Sequence, residues 1–377
     1  MNSNTPRILL AGGGTGGHIF PLIPVIRELK KRGAEVAFIG PEEFTLDAIR
    51  EEQIPVRSIV RAGKFRRYFS FATLWDAVKL PIALLQCLRY IQAFKPHVLF
   101  GKGGYGTIAP VIAARLHHIP VVLHDTDLIP GLANRFLSRF AHTVLVSYSE
   151  TKSYFPKKST KLVGQPIRTN HLSMKKSEAR RLLRFESSRR IIFFIGGSQG
   201  AQSINQAAKE AMGLLLKKYA VIASVGSGNI EYFKDINVNN ALVVPFLNEK
   251  DLAAAYTLAD IVVSRAGGSI FEIAAWGRPS ILIPIPDGHQ VANARAYEER
   301  GGAIVLEERE LFGEGTPDVV KASQILAFAI ESVLTNEEIS SRLRRGAKEF
   351  AHIDAAERIT TILLETAAPI RIRSKYD

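Results

Sequence analysis

The sequence of 377 residues is poor in cysteine, in acidic residues and in long apolar runs. Its one cysteine, Cys87, cannot form an internal disulfide, which excludes a disulfide-stapled scaffold and favours a reducing compartment. No apolar stretch reaches the roughly 18 residues that a membrane-spanning helix needs, and the apolar run 8–11 is too short for a signal peptide. Basic residues outnumber acidic ones by 49 to 36, and the net charge of +13 favours an anionic partner.

The hydrophobic share of 46% and the charged share of 23% are typical of a soluble globular protein. The length exceeds what one hydrophobic core usually organises, so we expect two domains. Short apolar runs alternate with longer amphipathic segments, which is typical of parallel sheets covered by helices. The predicted buried strands are 7–11, 36–39, 98–100, 121–123, 143–146, 191–195, 221–224, 242–244, 260–263 and 280–283.

A weak internal repeat supports two domains of the same kind. Residues 8–16 and 192–200 each consist of an apolar strand followed by a glycine loop. We therefore predict an α/β protein of two Rossmann-like, doubly wound domains that face a cleft, with ligands at the carboxyl ends of the strands. The predicted domains are 1–165 and 166–350, and the tail 351–377 is expected to pack back on the first domain.

Five glycines lie in the segment 12–17, directly before His18. Glycines let the backbone approach a ligand closely, and the amides at the start of a helix suit an anion. The segment also fits the dinucleotide fingerprint, but no acidic residue follows the second strand to hold a ribose. His18 can accept a proton and is a candidate general base, with a purely structural histidine as the alternative.

Two further glycine loops follow predicted strands, at 101–106 and at 196–201. Each could be a simple turn, yet both also suit a phosphate, with Lys102 as a positive charge in the first of them. Three such loops indicate two phosphorylated ligands, one for each domain.

Polar residues follow two strands of the second half, in the segments 265–272 and 289–294. Glu272 can accept hydrogen bonds from both hydroxyls of a ribose, and a solvated helix residue is the alternative for it. Gln290 and Asn293 can bond the hydroxyls of a sugar. Their position beyond the strand ends is where ligand contacts are expected.

Together these segments resemble a bacterial family of GT-B glycosyltransferases. The shared motifs are, in chain order, 12–18, 101–105, 164–168, 196–201 and 265–272. That family transfers N-acetylglucosamine from UDP-N-acetylglucosamine (UDP-GlcNAc) to the undecaprenyl-diphosphate-linked muramyl pentapeptide, which converts lipid I into lipid II in peptidoglycan synthesis. The resemblance runs over 7–350 and implies an inverting enzyme without a metal or cofactor. It also implies a peripheral enzyme on the cytoplasmic face of the bacterial inner membrane, with other cell-wall synthesis proteins as candidate partners.

The resemblance assigns roles to individual residues, with His18 as the catalytic base. It places the lipid acceptor in the first domain and the UDP-sugar in the second. The residues that it implies for UDP-GlcNAc binding are Thr15, Gly16, Gly17, Asp127, Arg168, Ser198, Leu247, Gly268, Ser269, Ile270, Phe271, Glu272 and Gln290. Those that it implies for acceptor binding are Gly103, Gly104, Tyr105, His124, Asp125 and Asn134.

The sequence departs from the family pattern in two places. Residues 124–127 read His-Asp-Thr-Asp where the family reads His-Glu-Gln-Asn, and the segment 265–272 is one residue shorter. The Asp-x-Asp pattern at 125–127 is one with which other glycosyltransferases hold a metal. We predict no metal site here, because this segment belongs to the first domain and the donor loops to the second. We interpret Asp125 and Asp127 as groups that accept hydrogen bonds from sugar hydroxyls or orient His124, with a helix N-cap before Pro130 as the alternative.

Basic residues cluster in two stretches, 57–95 and 152–190. The first is interleaved with aromatic residues and predicts a patch for an anionic membrane surface, with a solvated loop as the alternative. The residues of this predicted patch are Lys64, Phe65, Arg66, Arg67, Phe69 and Trp75. The second stretch could attract nucleic acid by charge alone. It contains no recognition module, so we predict a solvated linker and no nucleic-acid partner.

Two other functions stay open on the sequence. A sibling transferase that glycosylates a membrane diacylglycerol would share the donor half and differ in the acceptor loops. A dinucleotide-binding oxidoreductase would share only the first glycine loop.

Overall fold

A computed structural model describes residues 5–13, 16–42, 46–60, 71–155, 159–196, 202–236, 238–286, 288–313 and 318–368. The chain forms two compact units. The first comprises Met1–Ile167 together with Ile353–Asp377, and the second comprises Arg168–His352. The boundary between the two units therefore falls after Ile167.

The first unit contains a seven-stranded sheet in the order β3-β2-β1-β4-β5-β6-β7, with parallel pairing throughout. Its strands are β1 (Arg7–Ala11), β2 (Glu35–Pro41), β3 (Val56–Ile59), β4 (Val98–Gly101), β5 (Val121–Asp125), β6 (Thr143–Val146) and β7 (Ser159–Leu162). Its helices are α1 (Gly16–Ile19), α2 (Leu22–Lys31), α3 (Asp47–Arg50), α4 (Phe71–Phe94), α5 (Ile108–Leu116), α6 (Leu132–Leu137) and α15 (Ala355–Ala367).

Both faces of this sheet are buried, because successive side chains of a strand point to opposite faces. Ile8 and Leu10 of β1 belong to a core formed with α2, while Leu9 and Ala11 belong to a second core formed with α4 and α5. The C-terminal helix α15 contributes to the first of these cores, where its residue Leu363 is fully buried. This is why the inner strands read as largely apolar runs, unlike the edge strands β3 and β7.

The second unit contains a six-stranded sheet in the order β10-β9-β8-β11-β12-β13, again with parallel pairing. Its strands are β8 (Ile191–Ile195), β9 (Ala220–Ser224), β10 (Ala241–Val244), β11 (Ile261–Ser264), β12 (Ser280–Leu282) and β13 (Ala303–Val305). Its helices are α7 (Lys176–Leu183), α8 (Gln202–Leu215), α9 (Glu249–Leu258), α10 (Ser269–Ala275), α11 (His289–Glu299), α12 (Glu308–Phe312), α13 (Val319–Thr335) and α14 (Glu337–Phe350).

The prediction of two parallel-sheet α/β domains is confirmed, and each of the ten predicted strands has a counterpart. The sequence did not predict β3, β7 and β13. The prediction of a solvated linker over 152–190 is wrong, because β7 and α7 lie within it. β7 is an edge strand whose residues are exposed or half-buried, so it lacks the apolar run that marks a buried strand. Within the described part of the chain, the helices all fall short of the length and apolar character of a membrane span.

Candidate active site

The loops that follow β1 and β4 begin side by side in the first unit. Ala11 is paired with Gly101 at the ends of these two adjacent strands. The sheet continues from β1 to β2 on one side and from β4 to β5 on the other, so the strand order reverses between β1 and β4. Open α/β sheets bind ligands at such a topological switch point. The two glycine loops predicted from the sequence thus form one surface.

Glycine is required where these loops touch. A Cβ atom on Gly106 would lie 2.8 Å from the carbonyl oxygen of Gly12, and one on Gly104 would overlap the carbonyl oxygen of Gly13. Gly104 also has a φ of +77°, in the region that favours glycine. The backbones therefore pack directly against each other, which no residue with a side chain would permit.

The half-buried His18 ring lies on this glycine surface. A Cβ atom added to Gly104 would lie 3.1 Å from His18 Cδ2 and 3.3 Å from His18 Nε2. The structure thus brings the predicted base into contact with the loop predicted for the acceptor. Gly16 is buried and Gly17 is exposed in the short helix α1. The predicted donor residue Thr15 lies outside the described residues.

A polar cluster of buried and half-buried residues lies beneath the Gly103–Gly104 turn. We define this cluster by its members: Lys102, His124, Asp125, Thr126, Asp127, Asn134 and Gln165. Asn134 donates to Asp125 Oδ2 at 2.9 Å and to the His124 carbonyl at 3.1 Å. A Cβ on Gly103 would lie 2.7 Å from Asn134 Nδ2, so the turn rests on this amide.

The residues predicted for acceptor binding thus divide into two groups. Gly103, Gly104 and the half-buried Tyr105 lie in the loop. The other members, His124, Asp125 and Asn134, are 0%, 4% and 5% exposed and support the loop from inside.

His124 is a neutral histidine with a fixed proton position. Its Nε2 is 2.8 Å from the carbonyl oxygen of Gly164, and because a carbonyl only accepts, Nε2 carries the proton. Burial and the charge of Lys102 hold the pKa of His124 well below its usual value, against the opposing effect of the Gly164 hydrogen bond. We infer that His124 helps to fix the strand end.

The carboxylate of Asp125 is held by protein donors on both oxygens. Oδ1 accepts from the amide of Asp127 at 3.1 Å, and Oδ2 accepts from Asn134. Burial, followed by the neighbouring charge of Asp127, raises the pKa of Asp125 to about 6. Over the described ranges, the structure contains no group of three or more histidine, cysteine, aspartate or glutamate side chains that could hold a metal.

Lys102 points into the unit and does not present its ammonium on the loop surface. It is 1% exposed, and its Nζ donates to Thr126 Oγ1. Burial lowers the pKa of Lys102 to about 8, although Asp125 and Asp127 work in the opposite direction. The sequence suggested that Lys102 supplies a charge beside a phosphate, and its burial is at odds with that role.

In the second unit, the loop after β11 is fixed from several directions. Arg265 donates to the carbonyl of Ile283 at 2.9 Å and forms an ion pair with Glu308 at 2.9 Å. Asn293, 1% exposed, donates to the carbonyl of Ala266 at 3.1 Å. Asn293 therefore anchors the loop with the amide that the sequence suggested for sugar binding.

Glu272 of α10 is paired with Arg168, so the structure brings two predicted donor residues together. Arg168 Nη2 donates to Glu272 Oε1 at 3.0 Å, and the two side chains are 12% and 18% exposed. Burial acts to lower the pKa of Arg168, but the charge and hydrogen bond of Glu272, together with Glu249 and Tyr256, outweigh it and the pKa is raised. Tyr256 Oη donates to Glu272 Oε2 at 3.4 Å, and its ring stacks on Trp276. The sequence did not point to Tyr256, because it occurs within the apolar helix α9.

The other predicted donor residues surround this pair in different ways. Gly268 and Ser269 begin α10, while the side chains of Ile270 and Phe271 are buried in the core and leave only their backbone for a ligand. Gln290 lies near the loop, with its Nε2 3.9 Å from the position of a Cβ on Gly267.

Leu247 is 5% exposed and immediately precedes Asn248, which caps α9 by accepting hydrogen bonds from the amides of Lys250 and Asp251 at 3.0 Å. This arrangement leaves the backbone of Leu247 as its available binding group. Ser198 lies outside the described residues.

The predicted membrane patch at 64–69 also lies outside the described residues, and so does the side chain of Trp75. The described part of α4, together with α5, exposes large apolar side chains nearby in the sequence. Ile82, Leu85 and Leu116 are 45%, 56% and 60% exposed.

Residues 8–146 match the glycosyltransferase family 28 N-terminal domain, and residues 191–348 match the glycosyltransferase family 28 C-terminal domain. The chain belongs to glycosyltransferase family 28. Both units are therefore domains of a glycosyltransferase. This excludes the dinucleotide-binding oxidoreductase that the sequence left open.

Two curated relatives of this chain carry the same name. The chain is 36% identical, over 82% of its length and 87% of the relative, to the UDP-N-acetylglucosamine–N-acetylmuramyl-(pentapeptide) pyrophosphoryl-undecaprenol N-acetylglucosamine transferase of Clostridium perfringens. It is 34% identical to the enzyme of the same name from Caldanaerobacter subterraneus, over 94% of this chain and 98% of the relative.

Solved structures agree with this family 28 fold. MurG of Acinetobacter baumannii superimposes with a TM-score of 0.71 at 26% identity and covers 96% of this chain and 99% of that one. UDP-GlcNAc 2-epimerase of Neisseria meningitidis, bound to UDP-GlcNAc, reaches 0.68 at 14% identity over 96% and 100% of the two chains. The second likeness concerns the fold alone.

Proposed function

We propose that this chain transfers N-acetylglucosamine from UDP-GlcNAc to the undecaprenyl-diphosphate-linked muramyl pentapeptide, as the names of its family 28 relatives state for them. The structural observation that carries the proposal is the position of His18 on the Gly104 backbone, at the switch point of the first sheet. A base held on a glycine surface leaves room for a bulky lipid-linked sugar to approach it.

The first unit binds the acceptor and supplies the base. His18 takes the proton from the acceptor hydroxyl while the oxygen of that hydroxyl attacks the anomeric carbon of the donor. One bond forms to the anomeric carbon and the bond to the UDP oxygen breaks, so a single displacement inverts the configuration. The cluster residues His124, Asp125 and Asn134 support the turn on which His18 rests.

The second unit binds the donor. Glu272 accepts hydrogen bonds from the ribose hydroxyls, and Arg168, which Glu272 already orients, faces the diphosphate. The departing UDP gains negative charge, which Arg168 and the backbone amides at Gly268 and Ser269 stabilise. Because these groups are fixed before the substrate binds, little reorganisation is needed during the reaction.

Transfer of labelled N-acetylglucosamine to a lipid I analogue tests the proposed function. The purified full-length protein should form the lipid II analogue and release UDP, and it should be inactive with diacylglycerol as acceptor. Turnover should persist in excess EDTA, because the proposed mechanism assigns the charge on UDP to Arg168 and the loop amides. Product on diacylglycerol alone would identify the sibling transferase. Activity that EDTA abolishes and magnesium restores would overturn the metal-independent mechanism.

We also propose that the enzyme binds peripherally to the cytoplasmic face of the cell membrane, where its lipid-linked acceptor is anchored. Residues 57–95 carry eight basic residues and one acidic residue. Exposed Ile82, Leu85 and Leu116 in the same half of the chain add apolar side chains that can enter a lipid interface.

Replacing Lys64, Arg66 and Arg67 with serine should weaken binding to anionic vesicles by about a hundredfold, because each basic residue near the surface contributes about 1 kcal/mol. The double variant Ile82→Ser/Leu85→Ser should also bind less. Phe328→Ser is the matched control, since Phe328 is 76% exposed but lies in the second unit. Co-sedimentation with phosphatidylglycerol vesicles at low and high salt measures the effect. Equal sedimentation of all variants would rule out a membrane surface here.

A further inference from the structure

Lys102 is a buried charged residue to which the proposed mechanism gives no part. Its ammonium donates to Thr126 Oγ1, and Thr126 in turn donates to Gln165 Oε1 at 2.9 Å. An ammonium at 1% exposure is unfavourable unless opposite charges compensate it. The ammonium lies on Thr126, the residue between Asp125 and Asp127, and both carboxylates favour the charged form of Lys102.

A single substitution would change the net charge of this cluster. Lys102, Asp125 and Asp127 together carry one positive and two negative charges when ionised, a sum of −1. Asp125 is only 4% exposed, so water screens a change in its surroundings poorly. Removing Lys102 alone would leave two carboxylates to repel each other.

The cluster also carries the turn on which His18 rests. The amide of Lys102 donates to the carbonyl of Ala11 at 2.9 Å, which ties the start of the turn to the end of β1. Gly103 lies against Asn134, the side chain that holds Asp125, and Gly104 lies against the His18 ring. A change in the position of the cluster would therefore move Gly103 and Gly104, and with them the imidazole of His18.

We propose that Lys102 is a positioning residue for the transfer reaction, which acts as a unit with Asp127 to hold the Gly103–Gly104 turn against His18. Lys102 touches no substrate in this role. The proposal rests on the proposed function, because positioning His18 matters to catalysis only if His18 is the base.

A double-mutant cycle on the full-length protein tests this proposal. Lys102→Met changes the charge sum to −2 and Asp127→Asn changes it to 0, while the double variant returns it to −1. We expect Lys102→Met to lower kcat by about tenfold or more with the KM for UDP-GlcNAc nearly unchanged. The double variant should recover most of this loss and come within about threefold of Asp127→Asn. Lys31→Met is the matched control, since that lysine is 76% exposed.

The ring signal of His18 in histidine-labelled protein provides a readout that does not need turnover. It is assigned by its loss in His18→Ala, and it should shift in Lys102→Met and return in the double variant. The proposal would be overturned if the reduction of kcat in the double variant equals the product of the two single reductions. It would also be overturned if the His18 ring signal does not shift in Lys102→Met. If Lys102→Met does not fold, a folded double variant supports the charge balance and an unfolded one refutes it. An inert wild-type enzyme would refute the proposed function, and the ring signal would still test the positioning.

Discussion

Replacing His18 with alanine should lower turnover by about a hundredfold or more, which is the usual scale for the loss of a general base. The UDP-GlcNAc dissociation constant should stay nearly unchanged, because the residues proposed for the nucleotide belong to the second unit. The glycine surface under the ring supports this expectation, since the imidazole is held by close backbone contact at Gly104. Steady-state transfer to a lipid I analogue and calorimetry with UDP measure the two quantities.

His142→Ala is the matched control for this experiment. His142 is exposed and directly precedes β6, away from the glycine loops in sequence. It should retain normal turnover. Near-normal turnover in purified His18→Ala would remove His18 from the mechanism and leave the glycine surface as a binding site only.

Replacing Glu272 with alanine should raise the dissociation constant of UDP by roughly tenfold to a hundredfold, equivalent to about 1.4 to 2.7 kcal/mol. Three losses combine here. The ribose loses its acceptor, and Arg168 loses the carboxylate that orients it at 3.0 Å. Tyr256 also loses a hydrogen-bond acceptor in its buried position. Titration calorimetry with UDP gives the result directly.

Glu299→Ala serves as the control for Glu272→Ala, because Glu299 is exposed on α11 of the same unit. A thermal unfolding curve for each variant separates lost binding from lost stability. Unchanged UDP affinity in a folded Glu272→Ala protein would show that the pair with Arg168 is structural, and that the shortened loop has moved Glu272 out of the donor site.

The sequence was sufficient to predict the strands that are buried on both faces, such as β1 and β8. Their residues, apart from Arg7 at the start of β1, are apolar because helices cover each side of the sheet. β3 and β13 could not be found in this way. β3 lies at the sheet edge and buries only its last residue, Ile59, while β13 has only three residues.

The glycine loops and His18 were recognisable in the sequence, but their contact with each other was not. It depends on the pairing of Ala11 with Gly101, two residues that are far apart in the chain. The cluster beneath the turn was hidden for a related reason. Thr126 and Gln165 are ordinary polar residues in the sequence, and their importance comes only from the buried ammonium that they surround.

Helix α15 has a consequence for how the protein is made. Ile359 and Leu363 are buried with Ile8 in the core of the first unit, yet a ribosome synthesises them after the whole second unit. The second unit, Arg168–His352, is continuous and can fold as soon as it emerges. The core of the first unit stays partly uncovered until α15 has been synthesised. The unit that is synthesised first is therefore the last to complete its folding.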